Sequence, residues 1–133
     1  MKNLFFDCIT FFDNNFMFDL RYNILEDVVD YFVVCESRFD HKGNEKKINF
    51  IKNKKYNLKK IKHFILEKPF PKNNSAWQNQ AIQREFLLDC TATAKPNDYI
   101  LFSDPDEIPR PEILYNFELN RKYGIFMQKC FNY

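Results

Sequence analysis

The chain has 133 residues, 45% of them apolar, with 16 phenylalanines and 7 tyrosines against 2 glycines. That is enough apolar mass for one packed domain, and it excludes a disordered chain. Twenty Lys and Arg against 18 Asp and Glu leave a formal net charge of +2, too near balance for charge alone to argue for nucleic acid.

Residues 4–9 form the first expected strand, with residues 10–15 as the polar turn after it. Met17, Leu20, Ile24 and Val28 then fall at helical spacing and predict a helix with that stripe buried. Leu25 widens the stripe, and Asp13, Asn14 or Asn15 supplies the cap. Arg21 either faces solvent or turns back toward a ligand; periodicity does not choose. Residues 31–35 are continuously apolar, as in a strand buried on both faces, and Glu36 follows at the carboxyl end. On position alone, Glu36 reads as an ordinary polar strand end. A strand, a helix and an unbroken second strand open a parallel α/β unit.

Residues 42–62 are lysine-rich, with Glu45 the only acid. Such a run can attract phosphates or nucleic acid. It has no arginine and no glycine-rich nest, however, so a solvated surface segment is the expectation. A strand at 61–67 follows, then a proline-bearing loop. Ser75 with Gln78 three residues on forms a capping box. It starts a helix of about four turns, expected to bury Trp77, Ala81, Ile82, Phe86 and Leu88. Gln80, Gln83 and Arg84 lie on its polar side or beside a cleft.

Asn97-Asp98 signals a turn, and residues 99–102 read as a short buried strand. Asp104, Asp106 and Glu107 come directly after it, on a segment that Pro105 and Pro109 keep out of a regular helix. Open α/β sheets bind ligands at that strand edge. Three carboxylates this close repel one another, a cost that a hard, oxygen-ligated cation such as Mg2+ or Mn2+ removes. The competing reading is an acidic surface turn with its charges in water. Pro111 suits the first turn of a short helix, and a last strand is expected over 124–130.

No run approaches the roughly twenty apolar residues of a membrane span. The segment Met1-Lys2-Asn3-Leu4-Phe5-Phe6-Asp7 makes a poor signal peptide. The expected compartment is the cytoplasm, with attachment to a membrane surface through a partner as the alternative. Cys8, Cys35, Cys90 and Cys130 lack metal-ligand spacing, and Cys8 and Cys35 are expected as buried free thiols.

Four stretches together carry a resemblance. They are Phe6-Asp7-Cys8-Ile9-Thr10-Phe11-Phe12; Leu25-Glu26-Asp27-Val28-Val29-Asp30-Tyr31-Phe32-Val33-Val34-Cys35-Glu36-Ser37; Trp77 with Gln83-Arg84; and Ser103-Asp104-Pro105-Asp106-Glu107-Ile108-Pro109-Arg110-Pro111. The chain resembles glycosyltransferase family 17 over essentially its whole length. The resemblance implies an α/β fold of the GT-A nucleotide-sugar type, Rossmann-like, with a mostly parallel central sheet cut short. Residues 1–133 are then a single donor-nucleotide-binding domain, the amino-terminal part of a longer catalytic domain.

The implied activity is metal-dependent transfer of a sugar from a UDP-sugar donor, UDP-N-acetylglucosamine, to a glycan acceptor hydroxyl with inversion. Asp104 and Asp106 match the D-x-D element and would hold Mn2+ (or Mg2+) against the diphosphate, with Glu107 as an adjoining acid. Asp7, Glu36, Arg84 and Asp104 match donor-binding positions. The catalytic base is expected beyond residue 133. Two other readings stand beside this one: a non-catalytic nucleotide-sugar-binding module, and an interaction protein using the basic surface at residues 46–62.

Overall fold

A computed structural model describes residues 3–129. Four parallel strands form one sheet in the order β3-β2-β1-β4, where β1 is Phe5–Phe11, β2 Tyr31–Ser37, β3 Ile61–Leu66 and β4 Tyr99–Phe102. Helices α1 (Asn15–Leu25), α2 (Ala76–Cys90) and α3 (Pro111–Tyr115) complete the elements, a mixed α/β fold. The chain runs outward from β1 through β2 to β3, then crosses back to place β4 on the other side of β1. That reversal opens a crevice beyond the carboxyl ends of β1 and β4, where open α/β sheets take their ligands.

Strand alternation divides the core into two layers. Phe5, Ile9 and Phe11 of β1, with Phe32 and Val34 of β2, pack against Phe18, Tyr22 and Leu25 of α1. Phe6, Cys8, Val33 and Cys35 face the opposite way, against Leu87 and Cys90 of α2. Burial pushes the Cys8 thiol up, and the neighbouring Cys90 together with burial pushes the Cys35 thiol up. Both are free and buried, as expected, and Cys90 joins them; Cys130 lies outside the described residues.

Local signals account for the helix starts. Asn14 caps α1, its side chain accepting the Met17 amide at 2.8 Å. Ser75 and Gln78 form the capping box of α2 in both directions. At the other end of α1, Lys60 Nζ donates to the carbonyls of Glu26 and Val29, which leaves a cation at the negative helix end.

The structure corrects four expectations. The buried face of α1 is Phe18, Arg21, Tyr22 and Leu25, while Leu20 and Ile24 are exposed. This helix is apolar on more than one side, so two stripes fit the helical period and the sheet selects the aromatic one. On α2 the buried positions are Asn79, Gln83, Leu87 and Cys90, and Trp77 and Leu88 face outward. Polar side chains turn inward there because they have partners. Asn79 donates to the His41 carbonyl at 2.9 Å and Gln83 to the Cys35 carbonyl at 3.0 Å.

β4 is an edge strand rather than a buried one. Tyr99 and Leu101 pack against the core, whereas Ile100 and Phe102 are exposed. No strand forms among the described residues 124–129, and residue 130 lies outside them. That segment is held instead by Phe126 against Phe117 and by Gln128 donating to the Ile108 carbonyl.

Candidate functional site

The acidic loop after β4 is a tied turn. Asp104 O accepts the Glu107 amide at 3.0 Å, and the Asp104 amide donates to Glu107 Oε2 at 3.0 Å. Pro105 takes the second place of that turn, where its fixed φ is pre-set for the fold of the chain. Beneath the turn lies Arg21, fully buried at 0% exposure. Its Nη1 donates to the carbonyls of Asp104 (3.1 Å), Pro105 (3.3 Å) and Glu107 (3.1 Å), and its Nη2 to Ser103 Oγ at 2.7 Å. Its remaining donors grip Asp7 bidentately, Nε to Oδ2 at 2.7 Å and Nη2 to Oδ1 at 2.6 Å. Asp7 sits on the α1 side of β1 and is 1% exposed, so both of its oxygens face Arg21.

An open cleft of about 700 Å³ lies beyond the carboxyl ends of β1, β2 and β4. Its walls include Phe12, Phe39, His41, Lys46, Asp104 and Asp106. A smaller cleft of about 240 Å³ on the far side of Asp104 is lined by Arg84, Ser103 and Glu107. The structure thus brings Asp104 and Asp106 to one cavity and sets Glu107 against the other, with one carboxylate oxygen bonded to the backbone. Arg84 Nη2 lies 2.6 Å from Asp104 Oδ1, both side chains being half exposed.

Glu36 is buried at 0% exposure and lines neither cleft. Its carboxylate accepts Lys46 Nζ at 2.8 Å and the amides of Asn49 (2.7 Å) and Phe50 (3.1 Å), with His63 Nε2 at 3.3 Å. It thereby anchors the 46–50 segment, and that segment puts Lys46 on the cleft wall. The His63 contact has ion-pair geometry, yet burial, the largest influence, pulls the imidazole below its ordinary value despite Glu36. We read it as a neutral imidazole donating Nε2–H, since Lys46 and two amides already compensate the carboxylate.

His41 Nε2 lies 2.7 Å from Gln83 Oε1. Gln83 Nε2 donates to the Cys35 carbonyl, which fixes the amide so that its oxygen faces His41. The imidazole then donates from Nε2 to the Gln83 oxygen.

Four of the nine lysines in residues 42–62 are committed within the protein. Lys46 pairs with Glu36, Lys55 with Asp19, Lys60 caps α1, and Lys62 sits over the Tyr31 ring. Phe50 and Tyr56 from the same stretch are buried in the core. The expected solvated surface segment is thus anchored to the core through its aromatics, with Lys42, Lys47, Lys52, Lys54 and Lys59 exposed.

A divalent cation suits this site in one form only. Among the described residues no group of three or more His, Cys, Asp or Glu side chains could hold a metal ion. Asp104 and Asp106 do line one cavity beside a stiff turn. Mg2+-type sites use one or two carboxylates, waters and substrate phosphates rather than a closed protein cage. The donor set fits a cation bound together with a phosphorylated ligand.

The sequence points to the acidic loop and the Gln83-Arg84 pair and leaves Arg21 open between solvent and a ligand, whereas in the structure Arg21 is buried. The signal for Arg21 was its place at i+3 between Phe18 and Leu25 on the aromatic face of α1. Among the described residues, no helix is long and apolar enough to cross a membrane.

The profile of glycosyltransferase family 17 matches residues 1–127. No curated protein and no solved structure matches the chain. A match over nearly the whole chain, across the strand ends and the acidic turn described above, places it: this chain belongs to glycosyltransferase family 17.

Proposed function

We propose that the 700 Å³ cleft binds the nucleotide-sugar donor of a metal-dependent glycosyltransferase. In this reading the fold is of the GT-A type, Rossmann-like, and the donor is UDP-N-acetylglucosamine. The sugar passes to a glycan hydroxyl with inversion. Residues 1–133 serve donor binding, and activation of the acceptor hydroxyl is assigned outside them. The observation that carries the reading is the placement of Asp104 and Asp106 together, on a tied turn, at the point where the strand order reverses.

Asp104 and Asp106 would hold Mn2+ or Mg2+, and Glu107 shapes their turn from the adjoining position. The cation would neutralise charge developing on the departing diphosphate. Arg84, already beside Asp104, is placed to meet a phosphate oxygen once the carboxylate is engaged, and its planar fork suits that geometry. Lys46, held by Glu36, is a basic side chain on the wall of the larger cleft beside His41 and Lys42, whereas Arg84 approaches Asp104 from the smaller one. Glu36 and Asp7 act on the donor site from behind, through Lys46 and Arg21 respectively.

The test is release of UDP from UDP-N-acetylglucosamine in the presence of Mn2+, compared with other UDP-sugars and with Asp106→Ala. Turnover that needs the cation and Asp106 supports the reading. A folded protein that neither cleaves nor binds any UDP-sugar overturns it.

A further inference from the structure

We propose that Arg21 is the positioning residue of the cation-binding turn, and that Asp7 serves the donor site only by holding Arg21. The proposal rests on the metal-dependent donor binding above and deepens it by giving Arg21 a role of its own.

The argument starts from donor arithmetic. A guanidinium has five N–H donors in a rigid plane, and Arg21 makes six acceptor contacts with them. Two go to Asp7, one to Ser103 Oγ, and Nη1 is shared among three carbonyls of the turn. Six contacts from five donors leave no donor idle, and every one of them is made inside the protein.

The consequence lies in the turn. Three consecutive-region carbonyls directed at one nitrogen fix the backbone from Asp104 to Glu107, and the side chains of Asp104 and Asp106 are left on the cleft side. Without that anchor the turn keeps its two internal hydrogen bonds and the exposed Arg84–Asp104 pair. A pair of like-charged carboxylates then has no reason to stay together. Asp7 is 1% exposed with both oxygens on Arg21, so it supplies the buried counter-charge that lets a guanidinium sit there.

The experiment measures Mn2+ affinity at saturating UDP, by electron paramagnetic resonance of free Mn2+, and UDP affinity without metal. Arg21→Lys keeps the charge beside Asp7 but cannot reach the carboxylate and three carbonyls at once. The double variant Asp7→Leu with Arg21→Met replaces the pair by apolar side chains, an exchange that buried pairs often tolerate. Both are expected to lose Mn2+ affinity by about tenfold or more, the size typical of groups that orient metal ligands. UDP affinity without metal stays unchanged, a split that a general loss of structure would not produce. Asp7→Asn, which keeps one acceptor oxygen for Arg21 but no counter-charge, loses less Mn2+ affinity than Arg21→Lys.

Folded Arg21 variants with unaltered Mn2+ affinity overturn the proposal, as does an Asp7→Asn protein that loses as much as Arg21→Lys. Should the Arg21 variants not fold, the unaltered protein still decides. Its Arg21 guanidinium resonances must shift when UDP and Mg2+ are added, and resonances that stay put while those of the turn move overturn the proposal. Unaltered protein that takes up no Mn2+ with UDP overturns the functional reading and this role with it. Binding that is intact in both forms overturns this role alone.

Discussion

Arg84 Nη2 and Asp104 Oδ1 meet at 2.6 Å across the gap between α2 and the turn after β4. The guanidinium stands where a cation bound to the same carboxylate would compete with it. Replacing Arg84 with Ala is expected to strengthen Mn2+ binding in the absence of nucleotide by about two- to fivefold, the scale of an exposed ion pair. The same variant weakens binding of UDP together with Mn2+, because the phosphate loses its fork. Calorimetric titration of Mn2+ with and without UDP reads both effects, and a change of the same sign in both would contradict the exchange.

Glu36 is expected to matter first for stability. It is buried and compensated by Lys46, two amides and His63. Glu36→Ala leaves Lys46 without its partner and the 46–50 segment without its anchor, at a cost of about 3 kcal/mol. Urea unfolding measures it. Glu36→Gln costs less, since its amide oxygen still accepts one of these donors.

The acid side of the stability profile should carry the mark of His63. Its folded pKa is lowered, chiefly by burial, so the unfolded chain binds the proton more readily. Stability therefore rises with pH across this group's titration. Its contribution is complete above the ordinary imidazole value of about 6.5 and is lost as pH falls from there through the lower folded value. His63→Gln is expected to flatten the profile below the ordinary imidazole value of about 6.5, as followed by thermal unfolding. Glu67 and Asp98, whose carboxyls are held low by Arg38 and by the Lys95 and Leu4 amides respectively, titrate in a more acid range.

Ser75→Ala removes one half of the capping box and is expected to cost about 1 kcal/mol. Ser75 touches neither cleft, so nucleotide affinity should stay level while the urea midpoint falls. A loss of affinity beyond the loss of stability would mean that α2 moves on binding.

How far the sequence is readable depends on whether a signal is local. The caps at Asn14 and Ser75, the parallel strands and the turn at Pro105 follow from neighbours a few residues away, and all are where local chemistry puts them. Helix faces were less legible, because α1 offers two apolar stripes and α2 turns Asn79 and Gln83 inward to bond backbone groups distant in sequence. Arg21 was the least legible of all. Its partners are Asp7 on β1 and carbonyls more than 80 positions away, and only the sheet order brings them together. Glu36 looked like a plain strand end for the same reason, since the segment it holds begins ten residues on.

The most direct test of the account is the thermal stability of the protein with UDP, with Mn2+, and with both, beside Asp106→Ala. The account predicts a shift that needs nucleotide and cation together and disappears in the variant, as mass action requires of a ligand that binds only the folded site. A folded protein whose stability is indifferent to UDP and Mn2+, or an Asp106→Ala variant that shifts as much as the unaltered chain, would contradict it.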